Sequence, residues 1–216
     1  MAVSPVNAAS KAAASLRIGV LGGTFDPIHI GHLIIAEEAR QRLALDRVLF
    51  VPARVSPLKL ENGTLFTEEQ RLEMVQRAIQ GNPAFAISRV DLEREAPSYT
   101  VDTLHLLRQQ WGIQHRYWFI MGADSLHFLS HWRDPQGLLR MARLAVISRP
   151  GHAPDFAPLE QSIPGIGQAT DILPGLQIGI SSTEIRRRIG LGLPIRYQVP
   201  EAVWACICAY AHTQPR

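Results

Sequence analysis

The chain has 216 residues, 46% of them hydrophobic and 19% charged, with a formal net charge of +3. That length suits one substantial domain, the composition excludes a disordered chain, and no apolar run approaches the roughly 20 residues that a membrane-spanning helix needs. The basic side is almost wholly arginine, with Lys11 and Lys59 as the only lysines; no basic tract is long enough to form a nucleic-acid groove, so a small anionic ligand is the more economical partner.

Residues 1–16 are rich in Ala, Ser and Val, contain Pro5, and lack a continuous apolar centre, so they read as a disordered extension ahead of a single domain at 17–216. From Leu16 onward, short apolar runs alternate with longer mixed stretches, as expected of an α/β fold with a Rossmann-like, doubly wound parallel sheet. The first strand is expected at Arg17–Leu21. Gly22 and Gly23 then let the backbone turn sharply, and Thr24, Phe25, Asp26 and Pro27 carry it to a helix starting near His29. Over His32–Leu43, Leu33, Ala36, Ala39 and Leu43 share one side. A strand at Arg47–Val51 follows, then a helix over Glu68–Ile79 with Leu72, Val75 and Ile79 inward. Next come a strand at Phe85–Ser88, a helix over Thr100–Trp111 carrying Leu104, Leu107 and Trp111, and strands at Tyr117–Met121 and Leu144–Ser148. Between Pro150 and Gly175 the density of Gly and Pro predicts a surface excursion with short elements. Ser181 with Glu184 matches a capping box, so a helix begins there, and Pro200 precedes a final apolar helix at Glu201–Tyr210. That helix carries Cys206 and Cys208, which stand two apart and so do not share a face; packing in a reducing cytoplasm explains them without a disulfide or a metal.

Three places collect residues suited to chemistry, each at the C-terminal end of an expected strand or at a helix start, where open α/β sheets bind ligands. In the first, His29 and His32 are three apart at a helix N-terminus and point at one spot, with Gly31 removing bulk where a ligand could lie. Backbone N–H groups and two imidazole donors there suit phosphate oxygens, especially as charge grows on a leaving pyrophosphate. The second is Gly122-Ala123-Asp124, where glycine admits a nucleotide to the strand end. Asp124 there caps the next helix, bonds a ribose hydroxyl, or holds water around magnesium. The third is Ser181-Ser182-Thr183-Glu184-Ile185-Arg186, another helix N-terminus, with Arg186 on the side of Ser182 and Thr183. No further ligand completes a zinc tetrahedron with the histidines, and the glycines fit neither the dinucleotide fingerprint nor the P-loop.

Together these residues resemble the nucleotidyltransferase superfamily marked by His-x-Gly-His, here His29 to His32, with a later Ser-Ser-Thr-x-x-Arg, here Ser181 to Arg186. The match covers most of the chain after Leu16. Within the superfamily, Pro97 to Thr100, Phe119 to Leu126, His131-Trp132-Arg133 and Ser148 to Gly151 resemble bacterial nicotinate-nucleotide adenylyltransferases. The resemblance implies adenylyl transfer from ATP to nicotinate mononucleotide, giving deamido-NAD and pyrophosphate, in the cytoplasm. It implies no metal held by the protein, with Mg2+ carried mainly by the ATP phosphates. Position by position, it implies His29, His32 and Arg186 as catalytic residues and Gly22, Gly23, Thr24, Phe25, Gly122, Asp124, Arg149, Ser182 and Thr183 along ATP. Lys59, Thr100, Trp132 and Arg133 would meet the mononucleotide, Trp132 by stacking on the pyridine ring.

The sequence departs from the family where Val55-Ser56-Pro57-Leu58-Lys59 replaces Asn-Pro-Pro-His-Lys, which removes a histidine and keeps the lysine. A preference for the amide, nicotinamide mononucleotide, and a catalytically silent nucleotide-binding protein are the alternatives. A homo-oligomer is neither required nor excluded.

Overall fold

A computed structural model of the chain describes residues 15–55, 63–148, 154–176 and 178–211. Six strands form one all-parallel sheet: β1 (Arg17–Gly23), β2 (Arg47–Pro52), β3 (Phe85–Ile87), β4 (Arg116–Gly122), β5 (Arg143–Ser148) and β6 (Thr170–Pro174). Their order across the sheet is β3-β2-β1-β4-β5-β6, so the winding reverses between β1 and β4. The helices are α1 (Ile30–Arg42), α2 (Glu68–Ile79), α3 (Thr100–Trp111), α4 (Ala123–Leu126), α5 (Pro135–Met141), α6 (Ala157–Glu160), α7 (Ser182–Gly190) and α8 (Glu201–Ala211). None of them is long and apolar enough to cross a membrane.

The sheet is buried on both faces, and its period-2 alternation sorts the core into two layers. Leu21, Val48, Phe50, Trp118, Ile120, Ala145 and Ile147 point to one side, where α1, α2, α7 and α8 cover them with Ala36, Ala39, Met74, Val75, Ile185 and Val203. Their neighbours Ile18, Val20, Leu49, Val51, Phe119, Met121, Leu144 and Val146 point to the other, against Leu104 and Leu107 of α3, Leu126 of α4, Leu138 of α5 and Leu159 of α6. This is the doubly wound, single-sheet architecture expected from the alternation of short apolar runs and amphipathic stretches.

Two expectations need correction. The stretch Pro150–Gly175 does not lie wholly outside the sheet, because Thr170–Pro174 pairs along β5 as the edge strand β6. Its polar residues are used there: Asp171 accepts two bonds from Arg143, at 2.8 and 3.0 Å, and one from Trp118 Nε1 at 2.8 Å. In α2 the inward stripe is Arg71, Met74, Val75 and Ile79, while Leu72 is only half-buried. Cys206 is buried in the apolar layer and Cys208 half-buried, both as free thiols.

Candidate active site

The turn between β1 and α1 is built on unusual backbone. Phe25 sits in the left-handed region, with φ 49°, a conformation uncommon for a bulky residue and held here by burial of its ring, which is 2% exposed. That ring meets His32 edge-on, with centroids 5.0 Å apart. His29 takes the N-cap position of α1 in extended conformation, and its ring stacks on that of His32 at 3.7 Å with 26° between planes. A Cβ on Gly31 would stand 3.0 Å from His29 Nδ1 and 3.1 Å from its Cε1. The glycine of His-x-Gly-His therefore makes room for the first histidine's own ring, and it also lines the crevice.

Hydrogen bonding fixes how the His32 ring presents its proton. The backbone N–H of His29 donates to Nδ1 of His32 at 3.2 Å, so the lone pair is on Nδ1 and the N–H of His32 is on Nε2. Nδ1 of His29 is buried without a partner among the described residues. Desolvation lowers the His29 pKa from 6.5 to about 4, because burial penalises the charged ring. His29 is therefore neutral at physiological pH. An unpaired buried nitrogen is cheaper as a bare acceptor than as an orphan N–H, which favours the proton on Nε2 here too.

The Ser-Ser-Thr-x-x-Arg segment closes on this turn from the other side. Ser181 caps α7 through Glu184 N at 3.2 Å, whereas the Glu184 carboxylate goes to Arg187 and does not complete a capping box. Ser182 Oγ donates to the carbonyl of Pro27 at 3.0 Å. Arg186 donates to the carbonyl of Asp26 at 2.8 Å, stands 3.6 Å from the Asp26 carboxylate, and lies 3.4 Å from Thr183 Oγ1. The structure thus brings His29, His32, Ser182, Thr183 and Arg186 to one junction. Gly22 and Gly23 end β1 beside it, and a Cβ on Gly22 would make ordinary contact with Phe119. Thr24 and Phe25 have buried side chains, so contact from them to a ligand runs through the main chain.

Beside the junction a crevice of ≈ 200 Å³ runs from His29 and Gly31 past Gly122 and Asp124 to Ile147 and Ile180. It opens at the C-terminal ends of β4 and β5, next to the point where the strand order reverses, the usual ligand position in such sheets. A Cβ on Gly122 would meet nothing within 4 Å. The space that this glycine leaves belongs to the crevice. Asp124 lies in the first turn of α4, whose N-cap is Gly122, so Asp124 is not itself the cap.

The remaining expected residues gather around α3. Thr100 is its first residue. Arg133 lies over the Tyr99 ring at 4.9 Å and reaches Asp102 at 3.3 Å, which ties the segment after the short turn Leu129–His131 to the start of α3. Trp132 meets Phe119 edge-on at 5.8 Å, and its Nε1 is buried with no partner among the described residues. Phe119 thus stands between Gly22 and Trp132. Arg94 braces this wall through Asp91, the carbonyl of Tyr99 and Thr103. Lys59 and Arg149 lie outside the described residues.

Asp26 and Arg71 escaped the sequence reading as site-forming residues. Asp26, 2% exposed, accepts the backbone N–H groups of Leu65 and Phe66, both at 3.0 Å. Arg71, 1% exposed, donates to the carbonyls of Thr24, Ala53 and Arg54 at 2.6, 2.9 and 3.3 Å. An arginine in helical register with Val75 and Ile79 was the signal that could have revealed it.

Comparison with known proteins identifies relatives over most of the chain. The family model described as cytidylyltransferase-like matches residues 20–188. The chain is 46% identical over 196 residues to a protein of Roseiflexus sp. (strain RS-1) named "Probable nicotinate-nucleotide adenylyltransferase", covering 91% of this chain and 97% of that one. It is 44% identical over 188 residues to a protein of the same name from Herpetosiphon aurantiacus, covering 87% and 93%. Among solved structures, it is similar to the nicotinic acid mononucleotide adenylyltransferase of Plasmodium falciparum complexed with NaAD, with TM-score 0.70 at 19% identity over 90% of this chain and 96% of that one.

Proposed function

Since the chain belongs to the cytidylyltransferase-like family and, within it, to the nicotinate-nucleotide adenylyltransferases, we propose that it transfers the adenylyl group of ATP to nicotinate mononucleotide, forming nicotinate adenine dinucleotide and pyrophosphate. The observation that carries the reading is the stacked pair His29 and His32 at the start of α1, with His29 lining the crevice at the sheet's reversal point.

In this mechanism the acceptor's 5′-phosphate, already ionised, attacks the α-phosphorus of ATP in line, and pyrophosphate leaves. The O–P bond to the acceptor forms as the bond to the β-phosphate breaks, so neither a general base nor a covalent enzyme intermediate is needed. His29 and His32 donate to phosphate oxygens as negative charge moves onto the leaving group, and Arg186 with Ser182 and Thr183 holds the phosphates from the other side. Gly122 lets the nucleotide run close to the end of β4. Thr100, Trp132 and Arg133 receive the pyridine end, Trp132 by stacking.

Among the described residues no group of three or more His, Cys, Asp or Glu side chains is arranged to cage a metal. Mg2+ would be held by phosphate oxygens and water, where it would neutralise the triphosphate, with Asp124 the nearby carboxylate on the crevice wall.

The test is pyrophosphate release from ATP with nicotinate mononucleotide, with nicotinamide mononucleotide at equal concentration, and with ATP alone. Turnover that requires an acceptor and favours the nicotinate form is the expected result. ATP binding without product would overturn catalysis, and a preference for the amide would overturn the acceptor.

A further inference from the structure

Resting on that reaction, we propose that Arg71 is a positioning residue that holds the nucleotide wall and the acceptor wall of the site in register. One guanidinium bridges both walls. It donates to the carbonyl of Thr24 in the turn that carries His29 and His32, and to the carbonyls of Ala53 and Arg54, where the chain leaves β2. From Arg54 the connection runs on to the acceptor wall. Its backbone N–H donates to Ser98 Oγ at 3.2 Å, its guanidinium reaches the carbonyl of Arg94 at 3.1 Å, and Ser98 N–H donates to the carbonyl of Val55 at 2.9 Å. Arg94 in turn braces Tyr99, the residue that precedes Thr100.

Asp26 makes the matching link at the other end of the same connection. Its carboxylate accepts Leu65 and Phe66 N–H just before α2 begins, while its carbonyl receives Arg186. Asp26 also supplies the largest favourable charge acting on Arg71. The two residues thus anchor the β2–α2 connection to the catalytic turn at both ends.

A purely structural account of Arg71 fits poorly. It is 1% exposed, its burial opposes its charge, and its Nε has no partner among the described residues. A buried cation that makes three of its five possible hydrogen bonds is a poor way to stabilise a core, since a well-packed apolar side chain of similar volume often does as well. What a planar fork supplies is fixed directions to several carbonyls at once, and that fixes the distance between two walls. A two-substrate transfer depends on that distance: displacing the reacting groups by about 1 Å costs roughly 10²-fold in rate even when both substrates bind.

The experiment compares wild type with Arg71→Lys, which keeps the charge but not the fork, below the onset of unfolding seen by circular dichroism. Affinities for ATP alone and for nicotinate mononucleotide alone are measured by calorimetry, and kcat is measured at saturation of both. The expected result is affinities within about threefold of wild type and kcat down by about tenfold or more. Asp26→Asn, which keeps one acceptor oxygen, is expected to show the same split and serves if the lysine variant does not fold. A kcat per folded molecule within twofold of wild type overturns the proposal. So does a fall of about tenfold or more in one substrate's affinity alone, because Arg71 would then serve one wall only. Absence of turnover in the wild-type protein refutes the reaction instead, and the two failures are distinct.

Discussion

Lowering the pH should destabilise the protein through His29 in particular. The folded protein favours the neutral ring, with a pKa near 4, whereas the unfolded chain protonates near 6.5. Below 6.5 the unfolded state therefore binds the proton more readily, and stability is lost as pH falls toward 4. The displacement from 6.5 to about 4 corresponds to at most about 3 kcal/mol, a large share of a typical domain's margin. His29→Asn provides the control. Asparagine is a favoured N-cap residue in the extended conformation that His29 adopts, and it does not titrate. Urea unfolding of both proteins from pH 7 to pH 4 isolates the histidine, because groups common to both cancel in the difference. Glu37, held near 2 chiefly by its hydrogen bond from Arg40, is one such group. The stability of wild type should fall relative to the variant by about 2–3 kcal/mol across this window and stay level above pH 6.5. Parallel curves would refute the buried neutral ring.

His32→Ala should lower kcat by about 10²–10³-fold with little change in unfolding midpoint, measured by pyrophosphate release and urea titration. Gly31→Ala puts a methyl 3.0–3.1 Å from the His29 ring; the alanine favours the helix by about 0.5–1 kcal/mol, yet kcat should drop about tenfold as the ring shifts. Gly122→Ala meets no protein atom, so stability should hold while the KM for ATP rises and that for the acceptor does not. Asp171→Ala removes the bonds from Arg143 and Trp118 at the end of the sheet away from the crevice. It should cost about 1–2 kcal/mol, discounted for partial exposure, with kcat unchanged below the new transition.

Most of the fold was legible because the central strands alternate between two buried faces and so read as short continuous apolar runs. β6 was not. An edge strand needs an inward residue only on alternate positions, and Thr170, Asp171 and Pro174 disguise it in a region dense with Gly and Pro. That the two motifs belong together was visible through the resemblance to the superfamily that carries both. The close fit of Gly31 to the His29 ring was not, since it arises from the ring stack of its own neighbour. Arg71 and Asp26 were hidden for a different cause. Their partners are backbone groups from distant segments, and no local spacing announces a carbonyl as an acceptor.

The uncharged state of His29 bears on how quickly the site empties. A cation buried beside the crevice would hold ATP before reaction and pyrophosphate after it, binding ground states that turnover must escape. A neutral N–H gains most of its strength only as charge accumulates on the leaving oxygen. In the proposed reaction, burial of that one ring beside Gly31 would shift affinity away from substrate and product and toward the moment of transfer.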